Sequence, residues 1–174
     1  MLDKPTRIIK NRKRLEEALN VEISQRGREI FIDGDGKDKH IAKKVIQALD
    51  FGFSFSDALL LKGEEIFEVM NLKDYSKAKD MGKIRGLVIG KGGKALETLE
   101  RLTRCSFEIN NNRVGIIGLP EWLKIAIEGV RQLAQGTKHS NVYHYLEQHQ
   151  PKPILDLGLK EEFKEEVSKE KNKR

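Results

Sequence analysis

The residues best placed to do chemistry are Gly90-Lys91-Gly92-Gly93-Lys94, a glycine- and lysine-rich run between apolar stretches. Glycine permits positive φ and lets another backbone approach without a Cβ in the way. Backbone N–H groups at the start of a following helix point outward and attract anions. Lys91 and Lys94 add mobile positive charge. Such a turn is suited to cradling phosphate groups, and three readings compete for it. A nucleotide P-loop needs G-x-x-x-x-G-K-[ST], but Ala95 follows Lys94 and no hydroxyl stands where magnesium would need it. A dinucleotide fold needs G-x-G-x-x-G opening a βαβ unit, which the hairpin expected downstream contradicts. The third reading is a plain turn.

The elements that must hold this turn follow from the flanking pattern. Lys83–Val88 reads as a strand or strand end, and Leu96, Leu99 and Leu102 then recur at spacing three, as on a helix face. Cys105–Asn110 and Arg113–Gly118 read as a hairpin turning at Asn110-Asn111-Asn112. Pro120 to Gln135 reads as a helix with Trp122, Leu123, Ala126, Ile127, Val130, Leu133 and Ala134 on one face, begun by Pro120 and ended by Gly136.

This order occurs twice. Ile41-Ala42, Ile46, Leu49 and Gly52 match Ile125-Ala126, Val130, Leu133 and Gly136 at an offset of 84. Arg28–Gly34 resembles Arg113–Leu119 at 85, and Val21–Ile23 resembles Phe107–Ile109 at 86. Matches at nearly one offset suggest a tandem pair. The first copy is expected to run from a short helix, Leu15–Asn20, through a hairpin turning at Gln25-Arg26-Gly27 to a helix over Lys37–Asp50. Between the copies, short helices are expected after Ser56 or Asp57 and over Glu64–Met70. Phe51, Phe53, Phe55, Phe67 and Met70 are too apolar for a free tether and predict packing against the domains rather than base stacking. The expected division is a first copy over 1–52, a packed helical linker over 53–79, a second copy over 80–150 and a charged tail over 151–174, with Glu161–Arg174 a frayed helix or disorder.

Composition narrows the function classes. Of 174 residues, 38% are hydrophobic, and the mean hydropathy is −0.56. No apolar run approaches the roughly 20 residues a membrane span needs, and Met1–Lys10 lacks a signal-peptide pattern. The single cysteine, Cys105, excludes an internal disulfide and paired-cysteine zinc sites, and fits a reducing cytoplasm. The net charge of +6 favours an acidic partner such as nucleic acid. It is concentrated: six basic residues lie between Lys4 and Arg14, and eight between Lys77 and Arg104. No histidine has metal-ligand spacing, Cys105 has no catalytic partner, and the carboxylates lie among lysines as solvated faces do. No enzymatic activity, cofactor or metal is expected.

Val88-Ile89-Gly90-x-x-Gly93-x-x-Leu96-x-x-Leu99, followed by a hairpin and a helix, resembles the KH domain of eukaryotic-type (type I) order, β-α-α-β-β-α. The resemblance implies that the G-x-x-G loop clamps the sugar-phosphate backbone of about four nucleotides of single-stranded RNA. Gly90, Lys91, Gly92 and Gly93 would then hold the backbone. Val88, Ile89, Leu96 and Ile109 become candidates for the wall of the base groove, a role shared with core packing. Arg85, Lys94 and Arg113 become candidate rim contacts, while Leu99 and Leu102 are assigned to the core. The fold class expected is α+β, with two tandem type I KH-like domains.

Two such copies, Phe51-Gly52-Phe53-Ser54 after the first and Gly136–Glu147 after the second, resemble the archaeal tandem KH-domain ribosomal RNA-processing proteins, counterparts of the eukaryotic small-subunit assembly factor called the partner of Nob. The resemblance covers roughly Thr6 to Gln150. It implies binding near the 3′ end of small-subunit rRNA and assistance to a separate rRNA-processing endonuclease. His139, Tyr143 and Tyr145 are expected to dock on the KH core in preference to contacting RNA. The first copy departs from the pattern: Gly90–Gly93 fall on Thr6-Arg7-Ile8-Ile9, so that copy has no G-x-x-G clamp. It is read as a platform for the second copy or for a protein, with Lys10–Arg14 free to make salt-dependent phosphate contacts. The alternative function is therefore an adaptor that recruits a processing nuclease or translation factor.

Overall fold

The computed structural model describes residues 5–27, 29–76 and 80–151. The expected order or disorder of Glu161–Arg174 lies outside the described residues. The N-terminal half runs α1 (Pro5–Lys10), α2 (Arg12–Leu19), β1 (Val21–Arg26), β2 (Glu29–Gly34) and α3 (Gly36–Phe51). A short helix, α4 (Phe55–Leu59), leads to β3 (Ile66–Asn71). The C-terminal half continues with α5 (Met81–Ile89), α6 (Lys94–Thr103), β4 (Ser106–Asn110), β5 (Arg113–Gly118), α7 (Pro120–Ala134) and α8 (His139–Gln148).

β3 to α7 follow the order β-α-α-β-β-α, the type I KH fold expected from the motif. β3 pairs antiparallel with β5 from Ile66↔Gly118 to Asn71↔Arg113, and β4 pairs with the other side of β5, giving the order β3-β5-β4. Helices cover one face of this sheet, and Val88, Leu99, Val114, Ile116, Val130 and Leu133 meet there in a fully buried core. The chain is thus α+β, with a helix-covered sheet in the C-terminal half and a two-stranded hairpin, β1-β2, in the N-terminal half.

Two sequence expectations are corrected. Lys83–Val88 is not a strand but most of α5: Ile84 and Val88, four residues apart, share the buried side of a helix. The helix starts where the Asp80 side chain accepts the Lys83 N–H at 3.2 Å. Glu64–Met70 is not helical, because Ile66–Asn71 completes the second sheet as β3.

The two halves match at a single offset of 84, which also corrects the 85 and 86 read at the strands. β2 (Glu29–Gly34) lies 84 residues before β5 (Arg113–Gly118), and the left-handed Asn20 lies 84 before the left-handed Arg104. A slip of one residue would turn every strand side chain to the wrong face. At 84, Ile23 corresponds to Phe107 and Ile32 to Ile116, all directed to their cores. Where the C-terminal half has Gly90–Gly93, the N-terminal half has only Asn11 between two helices.

The halves share apolar surface. Phe51, Phe53 and Phe67 form a ring cluster with centroids 5.6–6.0 Å apart, and Ile117 of β5 joins the N-terminal core. Met70 is buried in the C-terminal core, and Phe55 carries the Arg14 guanidinium 4.3 Å above its ring. The aromatic stretch between the halves is packing, as its composition predicts.

Candidate nucleic-acid interface

The loop is built by a helix that must stop and another that starts without a cap. The Gly90 N–H closes α5 on the Gly86 carbonyl at 2.8 Å. Gly90 then adopts φ 75°, ψ 175°, a region open essentially to glycine alone. A Cβ there would lie 2.5 Å from the Cβ of Ala95, so α6 packs directly on the Gly90 backbone. The Gly93 N–H bonds the Gly90 carbonyl at 3.3 Å, a tight turn over residues 91–93.

Gly92 and Gly93 also have positive φ, 63° and 82°, but a Cβ on either would meet nothing within 4 Å. Their backbone faces open space. No side chain caps the ten-residue α6 at Gly93, so its first N–H groups stay available to a ligand. Lys91 and Lys94 are exposed on either side. Open backbone, outward N–H groups, the positive helix end and two ammonium groups converge at one point.

The remaining sequence candidates separate. Val88 is fully buried in the core and cannot line a groove. Ile89, Leu96 and Ile109 are half-buried, and Leu96 and Ile109 pack at the margin of the core. Arg85 lies one turn before Ile89 on α5, half-buried, with Nη1 3.5 Å from the carbonyl oxygen of Asn111 in the β4–β5 turn. Arg113 is exposed, and its guanidinium stands 5.5 Å from the ring centre of Phe51 in the N-terminal half. Leu99 and Leu102 are core, as expected. Arg85, Ile89, Leu96, Ile109 and the loop thus remain as the candidates that are not fully buried.

Sequence reasoning missed Gly86. It lies four residues before Gly90 on the same side of α5, is exposed, and would have nothing within 4 Å of a Cβ. An exposed glycine inside a helix costs about 1 kcal/mol against alanine, and nothing in the fold requires one here. It extends the side-chain-free surface from the loop along the helix. Its signal is visible only once residues 81–89 are known to be helical.

α8 closes the far side. His139 Nε2 lies 2.8 Å from the Leu87 carbonyl on α5, and Tyr143 and Tyr145 pack on the core, as the docking reading expects. Cys105 is buried, donates to the Thr103 carbonyl, and burial pushes its thiol up to about 11, leaving it inert. Among the described residues, no group of three His, Cys, Asp or Glu side chains could hold a metal. No helix among them is long and apolar enough to cross a membrane.

Residues 66–151 match the family model of the eukaryotic-type KH domain (KH-domain type I) in its PNO1 second-domain form. The match begins at the first residue of β3. The chain is 32% identical to a KH domain-containing protein of Methanocaldococcus jannaschii, over 81% of this chain and 66% of that one. It is 29% identical to the RNA-binding protein pno-1 of Caenorhabditis elegans, over 63% of this chain and 41% of that one. It therefore spans about two thirds of the archaeal relative's length and less than half of the nematode one's. Dim2p of Pyrococcus horikoshii superposes with a TM-score of 0.76 at 28% identity, covering 84% of this chain and 93% of that one. The same protein in an a/eIF2alpha-aDim2p-rRNA complex gives 0.72 at 28% identity, over 80% and 81%. On the KH match, the shared fold and these relatives, the chain belongs to the PNO1/Dim2-type KH-domain proteins.

Proposed function

We propose that this chain binds single-stranded RNA of the small ribosomal subunit, near the 3′ end of its rRNA, and takes part in rRNA processing and subunit assembly without being a catalyst. The observation that carries the reading is the open backbone of Gly92 and Gly93 at the uncapped start of α6, flanked by Lys91 and Lys94. A sugar-phosphate chain can come close to that backbone where no other residue type would let it, with Gly90–Gly93 and Lys94 on the phosphates. Bases would lie along Gly86, Ile89, Leu96 and Ile109, with Arg85 at the rim. Val88 has no part in this surface, and the exposed Arg113 stays a candidate rim contact beside Phe51. The relatives support the class of ligand: one is named for RNA binding, and another was solved with rRNA. A cytoplasmic location fits a reduced Cys105.

The division into units is drawn with the second KH-like unit beginning at Ile66, since β3 belongs to its sheet. The first unit, through residue 52, lacks the clamp. A second reading, an adaptor for a processing nuclease or a translation factor, is favoured by the appearance of a/eIF2alpha in the Dim2p complex. The two are compatible. The test is the affinity of wild type and Gly92→Asp for a 3′-end small-subunit rRNA oligonucleotide at two salt concentrations. A carboxylate facing the phosphates should abolish measurable binding, and unchanged binding would refute the clamp. Binding of an initiation-factor partner that survives Gly92→Asp would support the adaptor.

A further inference from the structure

β4 carries the groove candidate Ile109 on its helix-covered face, beside Phe107 in the core. The strand's other face points at the N-terminal half, and its three residues are all engaged there. The Ser106 hydroxyl lies 3.3 Å from Oδ1 of Asp57 on α4. The Glu108 side chain lies so close over Gly52 that a Cβ on Gly52 would come within 2.9 Å of it. The Asn110 amide donates to the Phe51 carbonyl at 2.9 Å. That carbonyl sits in the last turn of α3, where a helix leaves its oxygens without intrahelical donors. Alternate residues of one strand are thus met in sequence by residues 51–57, and the Phe51 and Phe53 rings lie over Gly115 next door.

The turn after β4 is held from the opposite side as well. Asn111, in the left-handed region at φ 56°, presents its carbonyl to Arg85 on α5, the helix that ends in Gly90. The Asn112 carbonyl accepts the Leu72 N–H at 2.8 Å. Phe51, Asn110, Asn111 and Arg85 therefore form a relay from the N-terminal half across the strand to the loop-bearing helix.

We infer that Asn110 is a positioning residue for RNA: by tying β4 to α3, it sets the distance between the groove's strand wall and the α5–loop–α6 wall. This rests on the RNA-binding reading above and deepens it. It gives the clamp-less N-terminal half a role in binding that requires no RNA contact of its own. Bases, which span the two walls, should sense a loosened strand, whereas phosphates on the loop should not.

The experiment compares the full chain with Asn110→Ala, Ser106→Ala and Gly92→Asp, using single-stranded oligo-A, oligo-C and oligo-U over a range of salt. Asn110→Ala should weaken the best homopolymer roughly tenfold and bring the three affinities together. Its salt slope should stay unchanged, because the phosphate contacts remain. Ser106→Ala should act in the same direction, more weakly. A merely destabilised protein would lose active fraction without losing discrimination between bases. Asn110→Ala affinity within twofold of wild type, or a reduced salt slope, would overturn the inference while Gly92→Asp still reports on the clamp. Should Asn110→Ala not fold, undiminished discrimination by Ser106→Ala overturns it. Full binding by Gly92→Asp would remove the RNA reading and the inference together.

Discussion

Glu16 accepts the backbone N–H of Ile23 on Oε1 at 2.8 Å, and 84 residues on, Glu100 accepts the N–H of Phe107 in the same way at 3.3 Å. Each contact fastens the helix before a hairpin to its first strand. Their surroundings oppose each other. The Ile23 bond, and then Arg12, hold the half-buried Glu16 carboxyl below the usual carboxylate range. Burial pushes Glu100 up, against the Phe107 bond and helped by Asp57 and Glu97.

The two should respond oppositely to pH. A depressed carboxyl contributes stability above its ordinary value and loses it as pH falls through the folded value. Glu16→Gln should lower stability at neutral pH and remove part of the acid-side decline. A raised carboxyl contributes below its ordinary value and loses that contribution as pH rises through the folded value. Glu100→Gln, which keeps an acceptor for Phe107, should therefore be neutral to stabilising at neutral pH. Urea denaturation at acid and neutral pH measures both, and matching behaviour of the two variants would contradict the assignment.

The loop glycines divide into one whose place is filled by a neighbour, Gly90, and two, Gly92 and Gly93, that no packing contact requires. Gly90→Ala forces a residue into a glycine-only conformation and against Ala95, and should cost about 3 kcal/mol. Gly92→Ala meets only the penalty of a left-handed residue, about 1 kcal/mol. Thermal or urea denaturation should separate them clearly, and equal losses would mean that α6 does not pack on Gly90 as described.

Much of this was legible in residue order, and what was not has physical causes. The G-x-x-G loop, both hairpins and both long helices follow from glycine placement, turn residues and apolar spacing. Residues 81–89 favour a strand on paper because Val88-Ile89 is β-branched and two glycines disfavour a helix. The decisive cue is Ile84 and Val88 four apart behind a capping Asp80. Residues 66–71 mislead in the opposite direction. Glu64, Glu65 and Glu68 suggest a solvated helix, yet Ile66, Phe67 and Val69 are strand formers that only β5, nearly fifty residues away, can satisfy. Asn110 reads in sequence only as a turn residue; its tie to α3 is invisible there, since its partner is a backbone oxygen 59 positions earlier.

Lys91 and Lys94 flank the open backbone without contributing to the core. If each neutralises one phosphate, replacing either by alanine should weaken binding to every RNA sequence alike. The slope of log K against log salt should shrink by about 0.7 for each phosphate of the single strand that is no longer neutralised. Fluorescence titrations at several salt concentrations give the slopes. A lysine whose removal leaves the slope untouched is not on a phosphate.

Cys105 tests the packing at the start of the C-terminal hairpin. Its thiol ordinarily ionises near 9 and is raised to about 11 by burial. Its contribution to stability is therefore complete below the lower value and lost as pH rises through the higher one. The native protein should resist thiol-directed alkylation until it unfolds, and its stability should fall between these two pH values. Cys105→Ala should flatten that decline. Rapid labelling of the native protein would show that the segment leading into β4 opens locally.

Gly86 offers the sharpest separation of folding from binding. Alanine at this exposed helical position replaces the most flexible residue with the best helix former, and no neighbour stands in the way of its Cβ. Gly86→Ala should therefore raise stability by about 1 kcal/mol. If nucleic acid lies against α5 between Arg85 and the loop, the same methyl group intrudes on it and the affinity should fall, with a bulkier Gly86→Val more damaging still. Opposite signs in the two assays cannot come from a misfolded variant, and they match the cost expected where a site is kept at the expense of stability. Denaturation and RNA titration of the same preparation decide it. A more stable Gly86→Ala that binds RNA as tightly as wild type would move the nucleic acid off this helix and leave the loop alone as the contact.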